Sequence, residues 1–138
     1  MINTLIDAGP LIALFDKDDE YHEKVKNFLK TFHGHLTTTW PVLTEVAHLL
    51  DFNINVQVDF LKWIQREAVL IYDLESNHLS RIIELTEKYS DVPMDLADAS
   101  LMVIAEIEKI TNIITIDSDY HIYRTNKKVK LKNLLDGY

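Results

Sequence analysis

Residues 1–15 read MINTLIDAGPLIALF. Ile2 to Ile6 is a short apolar run of strand length, and Asp7-Ala8-Gly9-Pro10 behind it is a turn signal. Leu11 to Phe15 then suits a short helix. The fold depends on whether this order of strand, turn and helix repeats along the chain.

It does. Asp18, Asp19 and Glu20 are placed to begin a helix, because acids favour the positive end of its dipole. That helix would carry Val25, Phe28, Leu29 and Phe32 at helical spacing and stop near Gly34. His35 to Thr39 reads as a second strand, and Trp40-Pro41 opens a helix bearing Val42, Leu43, Val46, Ala47, Leu49 and Leu50. Val58, Leu61, Trp63 and Ile64 mark another helix, and Val69 to Tyr72 a third strand. A helix follows from about Ser76 to Tyr89. Met94 to Glu108 is the most apolar helix and is expected to be mostly buried. Asn112 to Ile116 reads as a fourth strand ending in Asp117-Ser118-Asp119, and Val129 to Leu131 as a short fifth. Strands alternating with helices predict a parallel sheet covered on both faces. In such α/β folds the ligand site lies beyond the carboxyl ends of the strands, at the switch point.

The 138 residues carry no internal repeat and no Pro/Gly/Ser-rich linker, so a single domain over residues 1–138 is expected. Zero cysteines exclude disulfides, iron–sulfur clusters and thiol nucleophiles. Only 3 glycines exclude a Gly-rich phosphate loop. There is no apolar run of the ~18 residues a membrane span needs. The N-terminus lacks a basic region and a cleavage site of the secretory kind, so the cytoplasm is the expected location. With 14 basic and 22 acidic residues the net charge is −8, unlike a simple basic nucleic-acid binder.

The acids then become the question. Asp7 follows the first strand and Asp117 the fourth. If those strands are neighbours at the switch point, the two carboxylates face each other; each alone also reads as an ordinary turn residue. Glu45 lies among apolar neighbours one turn into a helix, or else on an exposed face with Thr44 and His48. Asp95 and Asp98 are three apart and share a face of the apolar helix. Asp95 also reads as a helix-start residue. Asp98 is harder to place, because burying a lone carboxylate costs several kcal/mol or shifts its pKa. Converging carboxylates repel unless a cation lies among them. All-oxygen ligands point to Mg²⁺ or Mn²⁺ rather than zinc. Such a cation lowers the pKa of water and also takes phosphate oxygens, which points to phosphodiester hydrolysis.

LIDAGPLIALFD (5–16), TTWPVLTEVAHLL (38–50), PMDLADASLMVIAE (93–106) and IITIDSDYHIYR (113–124) together resemble the PIN-domain family, and within it the VapC-type ribonuclease toxins. The resemblance runs from residue 2 to about residue 124. It implies a three-layer α/β/α sandwich with a central parallel sheet, and an endoribonuclease dependent on Mg²⁺ or Mn²⁺. By position, Asp7, Glu45, Asp98 and Asp117 match the family's metal-binding acids. Asp95 is a nearby helper, and Thr115 matches the polar residue two before the last acid. The segment after Asp117 is one residue short of the family spacing, which leaves Asp119 without an assigned role. The resemblance also implies an RNA substrate, a small antitoxin partner and a homodimer. The alternative is a catalytically inactive module of the same fold that binds RNA or protein; it predicts lost acids, and all four matched positions are acidic. A receiver domain would need paired acids after the first strand, and a HAD-type phosphatase DxD there; Asp7-Ala8-Gly9 fits neither.

Arg124, Lys127, Lys128, Lys130 and Lys132 form a basic tail that suits either an RNA phosphate footprint or a protected edge strand. His33-Gly34-His35 lacks the further ligands of a zinc site. Trp40 and Trp63 read as core or dimer-face residues, and Tyr120 and Tyr123 as better candidates for stacking on bases.

Overall fold

The computed structural model describes residues 3–138. Five strands form one parallel sheet in the order β3-β2-β1-β4-β5. They are β1 (Asn3–Ile6), β2 (His35–Thr38), β3 (Leu70–Ile71), β4 (Asn112–Ile114) and β5 (Lys132–Asn133). The helices are α1 (Ala8–Phe15), α2 (His22–Thr31), α3 (Trp40–Leu49), α4 (Ile54–Gln65), α5 (Leu79–Lys88) and α6 (Leu96–Glu108). From β1 the chain steps outward twice to β2 and β3, then returns across β1 to β4. Right-handed crossovers in opposite directions put α1–α4 on one face and α5–α6 on the other. The switch point therefore lies between β1 and β4, where Leu5 pairs with Ile113 and Ile6 with Ile114. Ile2, expected to open the first strand, lies outside the described residues.

The core follows from the sequence pattern. Leu5 and Ile6 of β1, Ile113 and Ile114 of β4, and Leu101, Met102 and Ile104 of α6 are fully buried. Each such side chain contributes about 1.5–3 kcal/mol by leaving water. Every residue of α6 from Ala97 to Ala105 is buried, as its composition requires. Among the described residues no helix is long and apolar enough to cross a membrane.

Several boundaries differ from the expectation for local polar reasons. Asp16 and Asp19 accept bonds from the backbone N–H groups of Asp18 and Tyr21, so these acids shape a turn and α2 starts only at His22. The fourth strand stops at Ile114 because the Thr115 N–H donates to the Asn133 side chain instead of a strand backbone. Val129 closes a loop on Thr125 rather than pairing with β4, so the fifth strand is Lys132–Asn133 and not Val129–Leu131. Lys132 is exposed on that edge strand, in keeping with the edge-protection reading of the basic tail.

Candidate metal centre

Each acid reaches the switch point on a different element. Asp7 follows β1 at the N-cap position of α1, and its N–H donates to the Ile114 carbonyl at 3.0 Å. Asp117 stands two residues past Thr115 and caps a 3₁₀ turn at Ser118–His121; its Oδ1 accepts from the Asp119 N–H at 2.9 Å. Asp98 lies in the first turn of α6. One carboxylate oxygen from each of Asp7, Asp98 and Asp117 lies within 4.8 Å of the other two. Asp7 and Asp98 are only 6% and 7% exposed.

Hydrogen bonds tie the three acids together. The Thr115 hydroxyl donates to Asp7 Oδ2 at 3.0 Å and accepts from the Asp117 N–H at 3.0 Å. Asn133 of β5 holds Thr115 in turn, its Nδ2 donating to the Thr115 carbonyl at 2.9 Å. The Tyr120 hydroxyl donates to Asp98 Oδ1 at 3.0 Å, and the Tyr123 hydroxyl to Asp98 Oδ2 at 3.2 Å. Both tyrosines are buried, which rules out the base stacking for which they were candidates. The tryptophans divide: Trp63 packs edge-on against Phe15, whereas Trp40 is 56% exposed and is no core residue.

Glu45 and Asp95 stand outside the tight trio. Glu45 is half-buried on α3, and Asp95 is exposed. With Trp40, Pro41, Thr44 and Leu96 they line an open groove of about 600 Å³. Asp95 is the N-cap of α6, its Oδ1 accepting from the Asp98 N–H at 2.8 Å. Asp95 is thus the helix-start residue of the sequence reading, and its side chain is bonded to the backbone of Asp98.

The electrostatics are those of a crowded anionic pocket. Burial pushes the Asp7 carboxyl up to about 6; bonds from the Ala8 N–H and Thr115 restrain the rise, and the charges of Asp117 and Glu45 add to it. Burial also raises Asp98 to about 8, with Asp7 and Asp95 adding repulsion and the Tyr120 bond opposing it. Glu45 is raised by burial, then by Asp95 and Asp117. Among the described residues no Lys, Arg or His forms an ion pair with any of these five acids. Three convergent hard oxygens without a cation of the chain's own suit a small divalent ion, and no soft ligand is present to favour zinc.

Sequence reasoning did not find the roles of Tyr120, Tyr123 and Asn133. For the tyrosines a signal existed: they are spaced three apart directly behind Asp117, next to a buried acid. For Asn133, far along the chain on an edge strand, there was none.

Comparison with known proteins now adds to this geometry. The PIN domain family pattern matches residues 4–128. The fold is similar to the crystal structure of Mycobacterium tuberculosis VapC20, a sarcin-ricin loop cleaving toxin. The TM-score is 0.78 at 16% identity, covering 86% of this chain and 93% of that one. It is also similar to VapBC2 from Rickettsia felis, solved bound to a DNA fragment from their promoter. There the TM-score is 0.64 at 14% identity, covering 96% of this chain and 98% of that one. At these identities the likeness is one of fold. Comparison with curated proteins by sequence gives no match.

Proposed function

The chain belongs to the PIN-domain family, and from that premise we propose that it is a metal-dependent endoribonuclease of the VapC toxin type. The observation that carries this reading is the meeting of Asp7, Asp98 and Asp117 within 4.8 Å with no cation of the chain among them. Asp7, Asp98 and Asp117, completed by Glu45 at the rim, would hold Mg²⁺ or Mn²⁺. Such an ion, when bound, lowers the pKa of water and screens the charge of a phosphodiester.

The chain's own groups serve that chemistry by holding the acids in place. Thr115 fixes Asp7 and the Asp117 backbone with one hydroxyl. Asp95 fixes the first turn of α6 on which Asp98 stands. Glu45 opens onto the groove at the edge of the cluster, its carboxyl raised by burial and by the charges of Asp95 and Asp117. RNA would run along that groove, past Glu45 and Asp95. The persistence of every matched acid favours an enzyme over an inactive binding module. A small antitoxin and a second copy of the chain are the partners we infer, acting in the cytoplasm. Exposed Leu79, Ile83 and Leu96 supply apolar surface for protein contacts.

The test is incubation of total RNA with the purified protein in Mn²⁺, Mg²⁺ or EDTA, beside Asp7→Asn. Discrete fragments that need the metal and disappear in the variant are expected. Cleavage that persists in EDTA or in Asp7→Asn would overturn the reading.

A further inference from the structure

Asp98 is buried in the cluster, and both of its oxygens are engaged by phenols. Tyr120 lies in the 3₁₀ turn Ser118–His121 and Tyr123 two residues beyond it, where its N–H bonds back to the Asp119 carbonyl at 3.2 Å. The turn is anchored at its start by Asp117, whose Oδ1 accepts from the Asp119 N–H. One short segment therefore supplies an acid of the cluster and two donors to another. The phenols are themselves fixed. The Tyr123 ring packs edge-to-face between Tyr89 and Tyr120, with centroids 5.1 Å from each. The Tyr89 hydroxyl is occupied by the Arg124 N–H at 2.9 Å, and nothing shows it reaching Asp98.

A buried carboxylate with a single hydrogen bond can still turn about its Cβ–Cγ bond. Two donors on its two oxygens remove that freedom. We propose that Tyr120 and Tyr123 are positioning residues that lock Asp98 in the rotation presenting an oxygen to Asp7 and Asp117, and so set the affinity for the divalent cation. The proposal rests on the metal-dependent reading above. It assigns the tyrosines neither a contact with RNA nor one with the metal. Outer partners of metal ligands typically govern affinity by about 10–100-fold.

Mn²⁺ affinity of the full-length protein, measured from the spectrum of free Mn²⁺, tests it. The variants are Tyr120→Phe, Tyr123→Phe and, as control, Tyr89→Phe. A second readout is the tyrosine near-ultraviolet difference spectrum during Mg²⁺ titration. Tyr120→Phe and Tyr123→Phe are each expected to weaken Mn²⁺ binding about tenfold or more and to diminish the difference spectrum. Tyr89→Phe keeps its ring and should leave the affinity unchanged, whatever it does to thermal stability. Wild-type Mn²⁺ affinity in Tyr120→Phe and Tyr123→Phe, or an equal loss in Tyr89→Phe, would overturn the proposal while leaving the nuclease reading in place. Should Tyr120→Phe fail to fold, Tyr123→Phe decides alone. Absence of Mn²⁺ binding by the wild type would overturn both.

Discussion

Asp7 shows how a single side chain can oppose the fold that holds it. It is buried beside other acids, and its carboxyl is pushed up to about 6. At pH 8 it is ionised at a cost to stability, because every tenfold gain in proton affinity on folding corresponds to about 1.4 kcal/mol. The neutral variant Asp7→Asn should therefore unfold in EDTA at a temperature equal to or above that of the wild type, with a gain on the order of 1 kcal/mol. Thermal unfolding at pH 8 checks this; a clear loss of stability would mean that Asp7 is a structural residue. The position of Asp7 could be read from the sequence, because a carboxylate directly behind the first strand of a parallel sheet must lie at its carboxyl edge. Asp117 was legible by the same rule, although two residues separate it from the end of β4. The phenols on Asp98 were not, since an aromatic side chain near a site reads equally well as a base platform until its burial is known.

Helix α6 joins stability to the site. Its buried face is mostly apolar, yet its first turn carries Asp98, which the Asp95 cap holds through the Asp98 N–H. Loss of an N-cap typically costs about 1 kcal/mol. Asp95→Ala is expected to lose about that much stability, and to lower cleavage at subsaturating Mn²⁺ more than at saturating Mn²⁺. Denaturant unfolding and rates at two Mn²⁺ concentrations check the two parts. An unchanged rate at low Mn²⁺ would separate the cap from the site. Elements with strong periodicity, α3 and α6 above all, were legible from the sequence to within a residue or two. Those decided by side chains bonding to backbone were not: the late start of α2 depends on Asp16 and Asp19, and the end of β4 on Asn133.

Across the whole molecule the acid cluster makes stability depend on pH. Asp7 and Asp98 are raised from 3.8 to about 6 and about 8, so the folded state holds more protons than the unfolded state across that window. Stability must then fall as pH climbs from about 4 to about 8, and this contribution levels off above that. Unfolding temperatures in EDTA should show the decline between about pH 5 and pH 8. Saturating Mn²⁺ should oppose it, since the ion competes with protons for the same oxygens and binds best when they are ionised. A flat profile in EDTA would contradict the clustering of buried acids. The central claim is that Asp7, Asp98 and Asp117 form the seat of a divalent cation, and anomalous diffraction from a crystal soaked in Mn²⁺ tests it most directly. The expected result is a single strong peak among these three carboxylates, absent from Asp7→Asn; a crystal with no peak there, or with Mn²⁺ bound only elsewhere, would contradict the claim.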